Sequence, residues 1–145
     1  MSEAHLYEKL GKLLLGIMPG EVELIYCVGR IYPEFHQLGP EWVNKDSSIG
    51  RFGFDDYPDE WCDEFFSVVS SLQKLSISSK ENWTHFKASL TEKGKFKIEF
   101  AYIPEDDSWP GVYMKRVSDL TEEEAKAHYI PEQDWLERVK KYKSQ

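Results

Sequence analysis

The apolar positions of residues 3–18 recur with a helical period. Leu6, Leu10, Leu13, Leu14 and Ile17 fall at i, i+4, i+7, i+8 and i+11, which makes one stripe. Ser2 stands where an N-cap belongs, Glu3 puts negative charge at the positive end of the helix dipole, and Pro19-Gly20 stops the run. Residues 21–32 change period. Val22, Leu24, Tyr26 and Val28 point one way and Ile25, Cys27 and Ile31 the other, so both faces are apolar and the spacing predicts a central strand. Pro33, Gly39, Pro40 and Ser47-Ser48 then punctuate a connection with one short strand over 33–48. A second strand is expected over 49–54, where two glycines signal a bulge or a close approach.

The helical period returns at Asp59. Trp61, Phe65, Val68, Val69, Leu72 and Leu75 share a face, Pro58 fits just before the first turn, and the polar residues 76–82 end the helix. A hairpin follows. Thr84, Phe86, Ala88 and Leu90 alternate with His85, Lys87 and Ser89; beyond the turn Glu92-Lys93-Gly94, Phe96, Ile98, Phe100 and Tyr102 alternate with Lys97 and Glu99. One face is greasy and the other wet, as in an antiparallel pair packed on helices. An edge strand is expected at 112–117. Thr121 to Glu124 makes a capping box for a short helix, and Pro131 opens a last one with Trp135, Leu136, Val139 and Tyr142 on one face. The order points to an α+β fold, an antiparallel sheet of four to five strands with helices packed on one face. It reads as a single domain over 1–145, on which the last helix, 131–143, packs.

Composition narrows the function. At 145 residues the chain can bury a core without staples, and 14% aromatic content argues against disorder. No apolar run approaches the ~20 residues of a membrane span, and the N-terminus lacks the basic and apolar regions of a signal peptide. Cys27 and Cys62 each sit in an apolar run and read as reduced core residues of a cytoplasmic protein. Lys plus Arg total 18 against 26 Asp plus Glu, a formal charge of −8, which disfavours a phosphate backbone as partner. Neither a membrane nor a nucleic acid is expected to bind.

Catalytic motifs are scarce. His5, His36, His85 and His128 are scattered; His85 is expected on the wet face of the hairpin. Phosphate-cradling loops, nucleophile elbows and paired CxxC cysteines do not occur, and no cofactor or metal site is called. Cys62 precedes two acids, which raise rather than lower a thiol pKa. The prominent feature is acidic. Asp55, Asp56, Asp59, Glu60, Asp63 and Glu64 put six carboxylates in ten residues with no Lys or Arg among them. A solvated helix start explains some of them. A surface complementary to a basic partner ranks next after it, and metal or glycosidase chemistry third, with no supporting residue. Glu105, Asp106 and Asp107 beside Trp109 repeat the pattern; the tryptophan is either a partner anchor or folded back on the body. Lysines segregate to the hairpin (Lys87, Lys93, Lys95, Lys97) and the tail (Arg138, Lys140, Lys141, Lys143).

The helix with Leu10 to Met18, the strand from Val22 to Tyr32, the helix start Asp59-Glu60-Trp61 and the hairpin from Trp83 to Tyr102 with its Glu92-Lys93-Gly94 turn form an ordered set. This set resembles the YezG-like family of bacterial immunity proteins, or antitoxins, best over 5–103. The resemblance implies a protein with no reaction of its own, which binds the toxic C-terminal domain of a polymorphic or contact-dependent toxin, often a nuclease, one to one. It transfers no catalytic residue. A nuclease cleft is basic, so an acidic partner can occlude it. The expected toxin-binding residues are Asp55, Asp56, Asp59, Glu60, Asp63, Glu64, Asp106, Asp107 and Trp109; Trp61 also belongs to the core stripe. Two alternatives stay open: a small hydrolase using the carboxylates of 55–64, and an adaptor that adds a peptide strand to the 112–117 edge.

Overall fold

The computed structural model describes residues 2–78 and 82–143. Helix α1 (Glu3–Ile17) starts where Ser2 accepts a hydrogen bond from the His5 N–H, and it buries Leu6, Leu10 and Leu14. Strands β1 (Val22–Ile31), β2 (His36–Asn44) and β3 (Ile49–Gly50) follow, then helix α2 (Asp59–Ser78) and the hairpin β4 (His85–Thr91) and β5 (Phe96–Ala101). All pairings are antiparallel, in the order β3-β2-β1-β4-β5, so β1 is central. The fold is α+β, with a five-stranded sheet. The hairpin register sets Phe86 against Phe100, Ala88 against Ile98 and Leu90 against Phe96, one apolar face as the alternation requires.

Helices α1 and α2 cover that face. Leu6, Leu10 and Leu14 of α1 meet Phe65, Val69 and Leu72 of α2 over Ile25, Cys27, Phe86 and Ala88 of the sheet. Trp61 ties the two helices together: its indole N–H donates to the Leu13 carbonyl at 2.8 Å and its ring stacks on Phe65. Leu75, expected on this face, lies near the end of α2 and is exposed.

A second, smaller core collects Val112, Val117, Leu120, Ala125 and Ile130, with Trp109 and Trp135 against it. It belongs to the chain beyond the hairpin, where α3 (Glu122–Ala127) opens with the expected capping box of Thr121 and Glu124, and α4 (Glu132–Lys143) follows Pro131. Trp135 donates to the Leu120 carbonyl, but Leu136, placed on the same face by the spacing, is exposed.

Three strand expectations are corrected. Strand β2 is nine residues long rather than short, because Pro40 is tolerated where β2 is an edge: β3 covers only Trp42 and Val43. Strand β3 ends at Gly50 instead of Phe54, since the backbone there passes so close over Trp42 that a Cβ on Gly50 would overlap its indole, and Phe52 then turns edge-on to that ring. No strand forms at 112–117, because Gly111 and Met114 take left-handed φ values of 88° and 61°, which break an extended run.

Candidate functional site: an acidic face and a roofed cavity

The acidic run of 55–64 lies along the loop before α2 and its first turns. Asp55, Asp56, Asp59, Glu60, Asp63 and Glu64 are all exposed, and among the described residues none is in an ion pair. The helix carries acids at its N-terminus where the dipole favours them, yet only Asp59 and Glu60 lie in the first turn. Beside them stands Phe54, 99% exposed, the most exposed large apolar residue described. Sequence reasoning assigned Phe54 to the end of a strand and so missed it; an aromatic flanked by two aspartates and a glycine is the signal that marks it.

The second acidic stretch does not join this face as three free carboxylates. Asp107 has no exposure: its carboxylate accepts from the Ser118 N–H at 3.1 Å and the Ser118 hydroxyl at 2.6 Å. Asp106 is exposed but paired with Lys141, whose ammonium holds the carboxyl below its usual range. Trp109 is half-buried against the second core, with the Arg138 guanidinium 5.5 Å from its ring centre. It is folded back on the body.

The other face of the sheet is roofed by the chain after the hairpin. Tyr26, Val28 and Arg30 of β1 point there with Glu41 and Gln37 of β2, their register partners or near them, and with His85 and Lys87 of β4. His85 is therefore on the face the alternation predicts but is buried, because Ser108 and the Tyr32 ring close over it. Between sheet and roof lies a cavity of about 290 Å³, walled by Val28, Phe52, Tyr57, Trp109 and Val112.

Each end of the cavity is polar. At one end Arg30 donates through Nε to Gln37 Oε1 at 3.2 Å and through Nη1 to Ser108 Oγ at 2.9 Å, while Phe35 stacks beneath its guanidinium. The Ser108 hydroxyl, which accepts from Arg30, also lies within hydrogen-bond distance of His85 Nε2, at 3.2 Å. His85 Nδ1 is 2.8 Å from Thr84 Oγ1, and the Thr84 hydroxyl in turn is 3.2 Å from the Ile103 carbonyl. Burial, reinforced by Arg30, lowers the His85 pKa to about 4, so the imidazole is neutral at neutral pH. At the other end Glu41 accepts from the hydroxyls of Tyr26 and Tyr113 at 3.0 and 2.6 Å and pairs with Arg51. Burial and Glu41 together push Tyr113 up to about 12.

No acid–base pair or nucleophile emerges from these groups. Cys27 and Cys62 are free thiols, both raised by burial, with Asp59 and Asp63 adding at Cys62. Among the described residues no three of His, Cys, Asp and Glu converge to hold a metal ion, and no helix is long and apolar enough to cross a membrane.

The sequence matches the family described as Immunity protein YezG-like over residues 4–117, a span that includes both the acidic face and the whole cavity lining. The chain belongs to the YezG-like immunity family. Its role is that of an immunity protein, or antitoxin, and its partner is a cognate toxin. A comparison with curated proteins finds no match. The matched span stops at Val117, so α3 and α4 lie beyond it.

Proposed function

We propose that this YezG-like protein neutralises a nuclease-type toxin domain in the cytoplasm of the producing cell, one to one and without catalysis, by laying its acidic face over a basic surface. The observation that carries the reading is the set of six exposed, unpaired carboxylates beside Phe54. Unpaired charges of one sign are costly to keep together, and they gain most when a partner brings the opposite sign. A nuclease must hold phosphates, so it presents such a surface. Phe54 supplies the apolar anchor that charge alone lacks, a part expected of Trp109 from sequence. Contact-dependent delivery fits the same role.

The test is titration calorimetry against the toxin domain encoded beside this gene, at low and moderate salt. Tight one-to-one binding that silences the toxin and weakens as salt screens the charges is expected. Absence of heat, with the toxin still active in the mixture, overturns the reading.

A further inference from the structure

We propose that the roofed cavity is a binding site for a small monocarboxylate with an apolar body of about one ring, its carboxylate held by Arg30. The inference is independent of the acidic face and of the nuclease reading.

Three observations support it. Arg30 makes two hydrogen bonds from five N–H groups, both to neutral acceptors, and among the described residues no carboxylate pairs with it. In a chain of charge −8 such an arginine at the wall of a cavity is an anion-binding group without its anion partner. Its planar fork matches a carboxylate in two-pronged geometry. The walls, in turn, are apolar: Val28, Phe52, Trp109 and Val112 offer surface to a hydrocarbon or aromatic body. The volume, about 290 Å³, sits at the lower end of small-molecule sites, which suits one ring and a short arm.

The polar ends fix charge and direction. Glu41 pairs with Tyr26 across the ladder, four residues along β1 from Arg30, ~13 Å at the rise of a strand. Arg51, which also lines that end, is already paired with Glu41, so among the described residues of the lining no free cation is left there for a second anionic group. Among the described residues that line its own end Arg30 is the one cation: Arg138, outside the lining, is spent on the Ser108 carbonyl at 3.1 Å and the Trp109 ring, and His85 is neutral with both ring nitrogens engaged by Ser108 and Thr84. A single carboxylate matches the one guanidinium fork that this end of the lining offers.

The experiment is an NMR titration of the full chain with 3-phenylpropionate, and in parallel with its neutral amide, 3-phenylpropanamide. Saturable shifts at Arg30, the His85 ring and the Trp109 indole are expected with the acid, and binding about tenfold weaker or more with the amide. Arg30→Gln should lose about tenfold in affinity, Arg30→Lys less, and Val28→Phe, which fills the cavity while keeping the Arg30 guanidinium in the chain, should abolish binding. N-acetylphenylalanine separates the two sources of such a carboxylate: tighter binding than the free acid assigns the site to a peptide C-terminus, weaker binding to a free small acid. Equal affinity for acid and amide, shifts that avoid the cavity, or no saturable shift up to about 10 mM would overturn the proposal. The acid–amide comparison uses the unaltered protein, so a variant that fails to fold leaves it intact.

Discussion

The Asp107 carboxylate takes both of its hydrogen bonds from Ser118, one from the backbone N–H and one from the hydroxyl, in a place with no solvent exposure. Eleven residues apart in the chain, the two staple the turn after the hairpin to the segment that leads into α3. A buried acceptor that satisfies a backbone donor cannot be removed without stranding it.

Asp107→Ala is therefore expected to destabilise the fold by about 2–3 kcal/mol. Urea unfolding should show a lower midpoint with an unchanged slope. Toxin affinity of the folded fraction should stay as it was. A variant as stable as the parent would mean that this staple contributes nothing.

Two glycines make a paired prediction of opposite sign. A Cβ on Gly29 would stand 2.6 Å from Leu38 Cβ, 2.7 Å from the Gln37 carbonyl and 2.7 Å from Phe86, two of them atoms fixed by the sheet. Gly29→Ala should cost about 1–3 kcal/mol through overpacking. At Gly16, inside α1, a Cβ meets nothing within 4 Å, so Gly16→Ala should stabilise by about 0.5–1 kcal/mol. Thermal melting of both variants checks the pair.

What the sequence discloses here depends on where the burying partner lies. The stripe of α1 and the alternation of the hairpin are local, and Leu6, Leu10, Phe86 and Ala88 sit where the period puts them. Alternation also gives the face of His85 correctly. It does not tell that the face is covered, because the cover, Ser108, lies 23 residues on. The cavity was illegible for the same reason: Arg30 and Ser108 meet across 78 residues. A lone arginine in a largely apolar central strand was the available signal. Asp107 and Trp109 read as surface groups because nothing local shows Ser118 or Arg138 beside them. Prolines and glycines misled at β2, where an edge position excuses Pro40, and at 112–117, where left-handed residues undo an apolar run.

The His85 relay makes stability depend on pH. Its folded pKa, about 4, lies below the ordinary 6.5, chiefly through burial. Between those values the unfolded chain binds a proton at this residue and the folded chain does not, so stability falls as pH falls through that window. The stabilisation is complete above pH 6.5 and lost by about pH 4, an amount of about 2–3 kcal/mol. Urea midpoints from pH 7 to pH 4 should drop for the parent and stay flatter for His85→Gln. Parallel curves would exclude His85 as the source.

On the acidic face, charge and anchor separate by their effects on rate and affinity. Asp55→Asn with Asp56→Asn should slow association with the toxin and reduce its salt dependence, because long-range attraction acts on encounter. Dissociation should change little. Each further neutralisation at Asp59, Glu60, Asp63 or Glu64 should add a graded loss, whereas a hydrolase would lose all activity at one carboxylate. Phe54→Ala should act the other way, raising the dissociation rate and weakening binding about tenfold or more, with the melting temperature unchanged since the ring touches little of its own chain. Surface plasmon resonance at two salt concentrations reads both. If Phe54→Ala binds as tightly as the parent while the aspartate variants do not, the interface is electrostatic and the exposed ring lies outside it.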